Sequence, residues 1–187
     1  MATPIELHIS EEITLRQIQI TDAQELFSII DNERSLLSKW LPFVTLTKEL
    51  NDTEAYINSL EDSTEHLFEY VFSIRENNKL IGMIGFVRSD VNNHKTEIGY
   101  WLSQQYQNKG IMTKSVAAVC KFAFEELAMN RIQIKCAIGN TKSSNIPKRL
   151  NFTYEGIERN GELHANGVYH DLEIYSLLRR EYNITSN

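Results

Sequence analysis

The chain has 187 residues, 42% hydrophobic and 24% charged, with a net charge of −6 at neutral pH. That length suits one domain with a real core, and no apolar run approaches the roughly 18 residues of a membrane span. The acidic balance leaves no Lys/Arg stripe to displace phosphate counterions, so a nucleic-acid partner is excluded.

The start, MATPIELHISEE, lacks both the basic and the apolar stretch of an export signal, so a cytoplasmic location is expected. Thr21 followed by Gln24 has capping-box spacing ahead of the apolar stripe Leu26, Ile29 and Ile30, and a helix is predicted from about Asp22. A second helix is predicted over NDTEAYINSLEDS, capped by Asn51 or Asp52 and packed through Tyr56, Ile57 and Leu60. Between them, LLSKWLPFV reads as a loop that carries the bulky Trp40 and Phe43 around Pro42.

From Phe68 the period changes to that of strands. Phe68 to Ile74 and Leu80 to Val87 read as β-rich runs joined by the polar turn Glu76 to Lys79, KTEIGYWLS as a third strand, and NRIQIKCAIGN as a fourth. Asn160-Gly161 and Asn166-Gly167 are turn signals within the strand-like last third. The pattern describes a single domain, α+β or mixed α/β, built on one sheet. Cys120 and Cys136 have no metal-ligand spacing and read as buried thiols; no metal is expected.

The stretch QNKGIMT sets Gly110 at the junction of a polar run and a helix whose face is Met112, Val116, Val119, Cys120, Ala123, Phe124 and Leu127. A helix N-terminus leaves its first amides unpaired and carries partial positive charge, which makes it an anion site. The alternative is that Gly110 only eases the chain into the helix. The run lacks the second glycine and the closing GK[ST] of a P-loop.

With the strand before it and the helix after it, this stretch resembles the pyrophosphate-binding motif of the GCN5-related N-acetyltransferases (GNAT). Gln107, Asn108, Lys109, Gly110, Ile111, Met112 and Thr113 stand at its positions. Met112 departs from the small residue usual there, so its side chain is expected in the core while its amide serves the ligand. A second block, NTKSSNIPKRLNFTYEG, is similar to the family's Asn-x-x-Ser and Gly-Phe segment, with Asn140, Ser143 and Phe152 in place and Asn151 in the glycine position. Asn tolerates left-handed backbone better than other non-glycine residues, so the exchange is mild. SKWLPF and GVYHDLEIYSLLRREY resemble the RimJ/RimL type, the ribosomal-protein N-terminal acetyltransferases.

The resemblance implies a single GNAT-like domain over residues 1–187, with a central, mostly antiparallel twisted sheet and helices on both faces. It implies acetyl-CoA as cosubstrate. The loop from Gln107 to Thr113 would bind its pyrophosphate, backbone near Leu102 would pair with the pantetheine, and Asn140 would contact the arm. Asn140 is equally placed to cap the following helix. The usual tyrosine slot holds Pro147, so Ser143 becomes the candidate proton donor to the leaving thiolate, against a plain capping role. Glu162 is the candidate base, against a solvated turn glutamate; His164 and His170 are weaker candidates, and Cys136 as an acyl carrier is weaker still.

Acceptor chemistry sets how much the base must do. An α-amine of pKa ~8 is ~10% neutral at pH 7, whereas a lysine of pKa ~10.4 is ~0.04% neutral, a difference of about 3 kcal/mol. The acceptor is therefore read as a protein N-terminus, with a small amine such as a polyamine, aminoglycoside or amino acid as the rival. A non-catalytic CoA-binding module is the competing reading from another class, motivated by Met112 and Asn151. Oligomeric state is open, a homodimer included.

Overall fold

The structure, a computed structural model, describes residues 4–67, 69–164 and 166–185. Its strands are β1 (Glu6–His8), β2 (Ile13–Gln17), β3 (Val71–Glu76), β4 (Lys79–Asp90), β5 (Lys95–Leu102), β6 (Arg131–Ala137), β7 (Thr153–Leu163) and β8 (Tyr169–Leu178). The helices are α1 (Ala23–Asn32), α2 (Arg34–Leu37), α3 (Leu50–Leu67), α4 (Ile111–Glu125), α5 (Thr141–Arg149) and α6 (Arg179–Thr185). The strands form one sheet in the order β1-β2-β3-β4-β5-β6-β8-β7, antiparallel throughout except where β5 meets β6.

Two apolar layers flank this sheet, as the α+β expectation requires. α1 and α3 pack Leu26, Ile30 and Ile57 against Val71, Leu80 and Met83 on one face. α4 packs Val116, Val119 and Phe124 against Phe72, Ile84 and Ile132 on the other. β4 is buried on both faces, so it reads as a continuous apolar run rather than an alternating one. α1 is held to the sheet by charge as well: buried Asp22 accepts from Arg16 (2.6 Å) and Arg75 (2.8 Å), and Glu25 accepts from the Leu80 amide (2.8 Å). Buried ions persist only when paired in this way.

Several local expectations shift. No side chain caps α1; in place of Thr21 with Gln24, Asp22 takes the Gln19 amide at 3.1 Å and closes the short 3-10 turn, residues 20–22, that leads into the helix. Asp52 lies inside the first turn of α3 and reaches back to the Lys48 and Glu49 amides rather than standing ahead of the helix. Tyr56 is 45% exposed and borders a cavity, while Ile57 is core. Phe68 lies outside the described residues; the strand begins at Val71. Asn160-Gly161 is no turn: β7 runs through it, with Asn160 at φ 52° and a register shift between Glu158 and Glu162. That is a β-bulge. Asn166-Gly167 is the hairpin turn, with Gly167 at φ 77°. The two N-terminal strands and α6 escape the sequence pattern because each is short. Among the described residues no helix is long and apolar enough to cross a membrane.

Candidate active site

β5 and β6 pair only from Lys95↔Arg131 to Glu97↔Gln133 and then part. The parting coincides with a bulge at Val87 of β4, where Phe86 faces Ile98 but Arg88 faces Glu97. An extra residue bends and twists a strand locally, and here it turns β5 away from its parallel neighbour. Gly99 makes this fit: a Cβ there would lie 2.9 Å from Val87 Cγ1. The Ser103 amide bonds the Ile81 carbonyl, so by antiparallel alternation Ile98, Tyr100 and Leu102 turn their backbone groups toward the opening. One of these groups is already used, since Gln107 Nε2 donates to the Leu102 carbonyl at 2.9 Å.

At the mouth of α4, Asn108 (φ 63°) and Gly110 (φ 76°) are both left-handed, and no side chain caps the helix. A Cβ on Gly110 would meet nothing within 4 Å, so its φ and the space before the amides, not crowding, call for glycine. Met112 is buried in the core, as its departure from the motif requires, and so is Ile111; Thr113 is half-buried. Lys142 Nζ donates to Gln107 Oε1 at 3.0 Å and ties α5 to the loop. Lys109 lies 5.1 Å from the Tyr106 ring centre.

Asn140 caps α5, its side chain accepting from the Ser143 amide at 3.4 Å. Asn151 adopts φ 57°, the left-handed conformation expected of a residue in the glycine position. Ser143 stands at a corner of three elements. Its hydroxyl donates to Tyr100 Oη (3.3 Å) and accepts from Cys136 Sγ (3.4 Å), while the Tyr100 hydroxyl donates to the Ser143 carbonyl (3.0 Å). Burial pushes the Tyr100 phenol well above its usual range and the Cys136 thiol up to about 11. Both stay protonated at neutral pH, so this corner offers protons rather than a nucleophile. Cys136 is thereby a poor acyl carrier.

A cavity of about 860 Å³ reaches from Leu26 and Ile30 on the α1–α3 face to Ile98 and Tyr100 of β5, and Trp40, Phe43, Asn140, Ser143 and Glu162 border it as well. The fold thus brings Ser143, Asn140 and Glu162 to one space, although Glu162 stands on a strand just past the bulge rather than on a turn. Leu102 and residues 107–113 do not border it; α4 packs on the opposite face of the sheet. Glu162 Oε2 lies 3.1 Å from His164 Nε2. Of these residues, sequence reasoning missed Tyr100. Its signal was parity: on β5 it shares the side of Ile98 and Leu102.

Comparison with known proteins agrees with this geometry. The profile of the Acetyltransferase (GNAT) domain matches residues 12–153. This chain belongs to the GNAT acetyltransferase family. As a GNAT protein it is an acetyl-CoA-dependent N-acetyltransferase, and the non-catalytic reading falls away. The GNAT chain is 35% identical over 178 residues to YdaF of Bacillus subtilis (strain 168), provisionally named a ribosomal N-acetyltransferase, covering 93% of this chain and 95% of that one. It is 25% identical to the ribosomal-protein-serine acetyltransferase of Escherichia coli (strain K12), over 91% and 94% of the two chains. The spermidine N(1)-acetyltransferase of Vibrio cholerae matches at 24%, over 93% and 97%. Among solved GNAT structures, the microcin C7 self immunity acetyltransferase MccE in complex with acetyl-CoA and AMP superposes with a TM-score of 0.85 at 27% identity, over 91% and 94%.

Proposed function

We propose that the protein acetylates the N-terminal α-amine of a protein, of the ribosomal class, by direct attack in a ternary complex. The observation that carries this reading is the single cavity in which Glu162 and the Ser143–Tyr100 corner meet beside the opening between β5 and β6. The residues around that opening fit acetyl-CoA. Free amides at the start of α4 and the left-handed Asn108 and Gly110 suit a pyrophosphate, and the unpaired edge of β5 suits a pantetheine added like a strand. Asn140 and Leu102 are the further contacts assigned to the arm.

In the reaction, Glu162 takes a proton from the acceptor ammonium, directly or through one water, leaving the nitrogen lone pair free. That nitrogen bonds to the thioester carbonyl carbon. A β5 backbone N–H in the opening receives the negative charge growing on oxygen. As the C–S bond breaks, the Ser143 hydroxyl, held in place by Tyr100 and Cys136, gives its proton to sulfur and regains one, through water, from the attacking nitrogen, which sheds its second proton as the amide forms. A thiolate of pKa ~8.5 is a fair leaving group and asks only modest help.

The charge around the cavity favours a monocation over a polyamine. Among the described residues its acids are Asp52, Glu97 and Glu162, and its bases are Arg88 and Lys135. Asp52 is occupied by two backbone amides, and Glu97 by Lys135 (3.7 Å) and Gln133 (3.2 Å). Among the described residues a polyamine would find little uncommitted negative charge, whereas one ammonium needs only Glu162. The spermidine-acetylating relative supports the second reading, a small-amine acceptor. Thiol release from acetyl-CoA across a panel of N-terminal peptides, spermidine and lysine tests the choice. Turnover of peptides with a free α-amine and not of spermidine is expected; the reverse overturns the assignment.

A further inference from the structure

His164 is among the few buried polar residues, with a side chain 3% exposed. Its Nδ1 lies 3.2 Å from the Lys39 carbonyl oxygen and its Nε2 lies 3.1 Å from Glu162 Oε2. Among the described residues, it also faces the His170 ring of β8, stacked at 3.9 Å, and the Trp40 ring, edge-on at 6.4 Å. The Lys39 ammonium sits 4.9 Å from the Trp40 ring centre.

A carbonyl oxygen only accepts, so Nδ1 must carry a hydrogen and donate it to Lys39. A neutral imidazole has then spent its one N–H, and Nε2 would turn a lone pair toward a carboxylate oxygen. Two lone pairs at hydrogen-bond distance repel. A proton between Nε2 and Oε2 removes that clash.

We propose that His164 shares this proton with Glu162 and so fixes the carboxylate, leaving its other oxygen, Oε1, as the one available to the acceptor amine. His164 is a positioning residue. The inference rests on the reading of Glu162 as base. It also has a second consequence. Lys39 and Trp40 belong to the segment walling the acceptor cavity, so the imidazole couples the seating of the acceptor on that wall to the orientation of the base.

His164→Phe keeps the ring against Trp40 and His170 and deletes both hydrogen bonds. His164→Asn keeps a donor near the Lys39 carbonyl and deletes only the Glu162 contact, which covers a fold that rejects Phe. Either variant should retain the acetyl-CoA KM and lose about 10- to 100-fold in kcat for an N-terminal peptide, the scale of a misplaced base. The loss should vanish in the Glu162→Gln background, because residues acting through one another are not additive. ¹⁵N-labelled protein at neutral pH should show a hydrogen-bonded proton at His164 Nε2, displaced in Glu162→Gln. With Glu162→Gln impaired, full activity in both His164 variants, independent losses, or the lack of an Nε2 proton signal would overturn the inference alone. A fully active Glu162→Gln would overturn the base reading and the inference with it.

Discussion

The Ser143 hydroxyl lies 3.3 Å from the Tyr100 hydroxyl, although 43 positions separate the two residues. The phenol, protonated by burial, donates onward to the Ser143 carbonyl, so the serine is held from both its side chain and its backbone. Ser143→Ala should lower kcat by roughly 10- to 100-fold with little change in acetyl-CoA KM, since its proton matters as charge grows on sulfur. Tyr100→Phe should cost less and add nothing to Ser143→Ala. Steady-state kinetics with acetyl-CoA varied decides this; a loss confined to melting temperature would return Ser143 to a capping role.

Gly110 combines a left-handed backbone with empty space before the first amides of α4. Gly110→Asp strains that backbone and sets a negative charge where pyrophosphate is assigned. CoA affinity should fall by about 2 kcal/mol or more, on the scale of one misplaced charge. Titration calorimetry on the folded variant measures it, and an unchanged affinity would remove the loop from the binding site.

For Glu162, the pH dependence separates base from acceptor. Glu162→Gln keeps shape but takes no proton, so kcat/KM at pH 7 should drop about 10²- to 10⁴-fold. If deprotonation is what is lost, raising the pH toward the amine's own pKa restores the rate, near pH ~8 for an α-amine and near pH ~10 for a lysine or polyamine. The pH–rate profile of the variant therefore reads out the acceptor class. No rescue at either pH would mean that Glu162 serves some other purpose.

Glu155 offers a test on stability alone. Arg131 grips its carboxylate at 2.6 Å across the sheet and Ser176 donates at 2.8 Å. Chiefly through Arg131, its pKa falls from 4.5 to about 2. A carboxylate lowered on folding contributes stability above its unfolded pKa and loses it as pH falls through the folded value. Glu155→Gln should therefore melt earlier at pH 7, and the gap should close between about pH 4.5 and pH 2. Both partners are partly exposed, so solvent screening holds the effect to about 1 kcal/mol. Thermal melts across that range check it, and a gap independent of pH would contradict the pairing.

Much of this protein is written locally. The helix after Gly110 follows from apolar spacing, Asn140 from cap chemistry, and Asn151 from the left-handed tolerance of asparagine, because each depends on residues within a turn or two of one another. The motif residues of the loop and of α5 were legible through their resemblance to the family's motifs. Asn160-Gly161 misled because the same dipeptide serves a turn or a bulge, and the partner strand chooses. What the tertiary structure alone decided is where β5 leaves β6, which depends on the Val87 bulge meeting Gly99, and what stands beside each reactive side chain. Tyr100 reaches Ser143 from another element, and His164 reaches the Lys39 carbonyl across 125 positions. Such pairs are set by strand order and register, which no periodicity within one segment encodes.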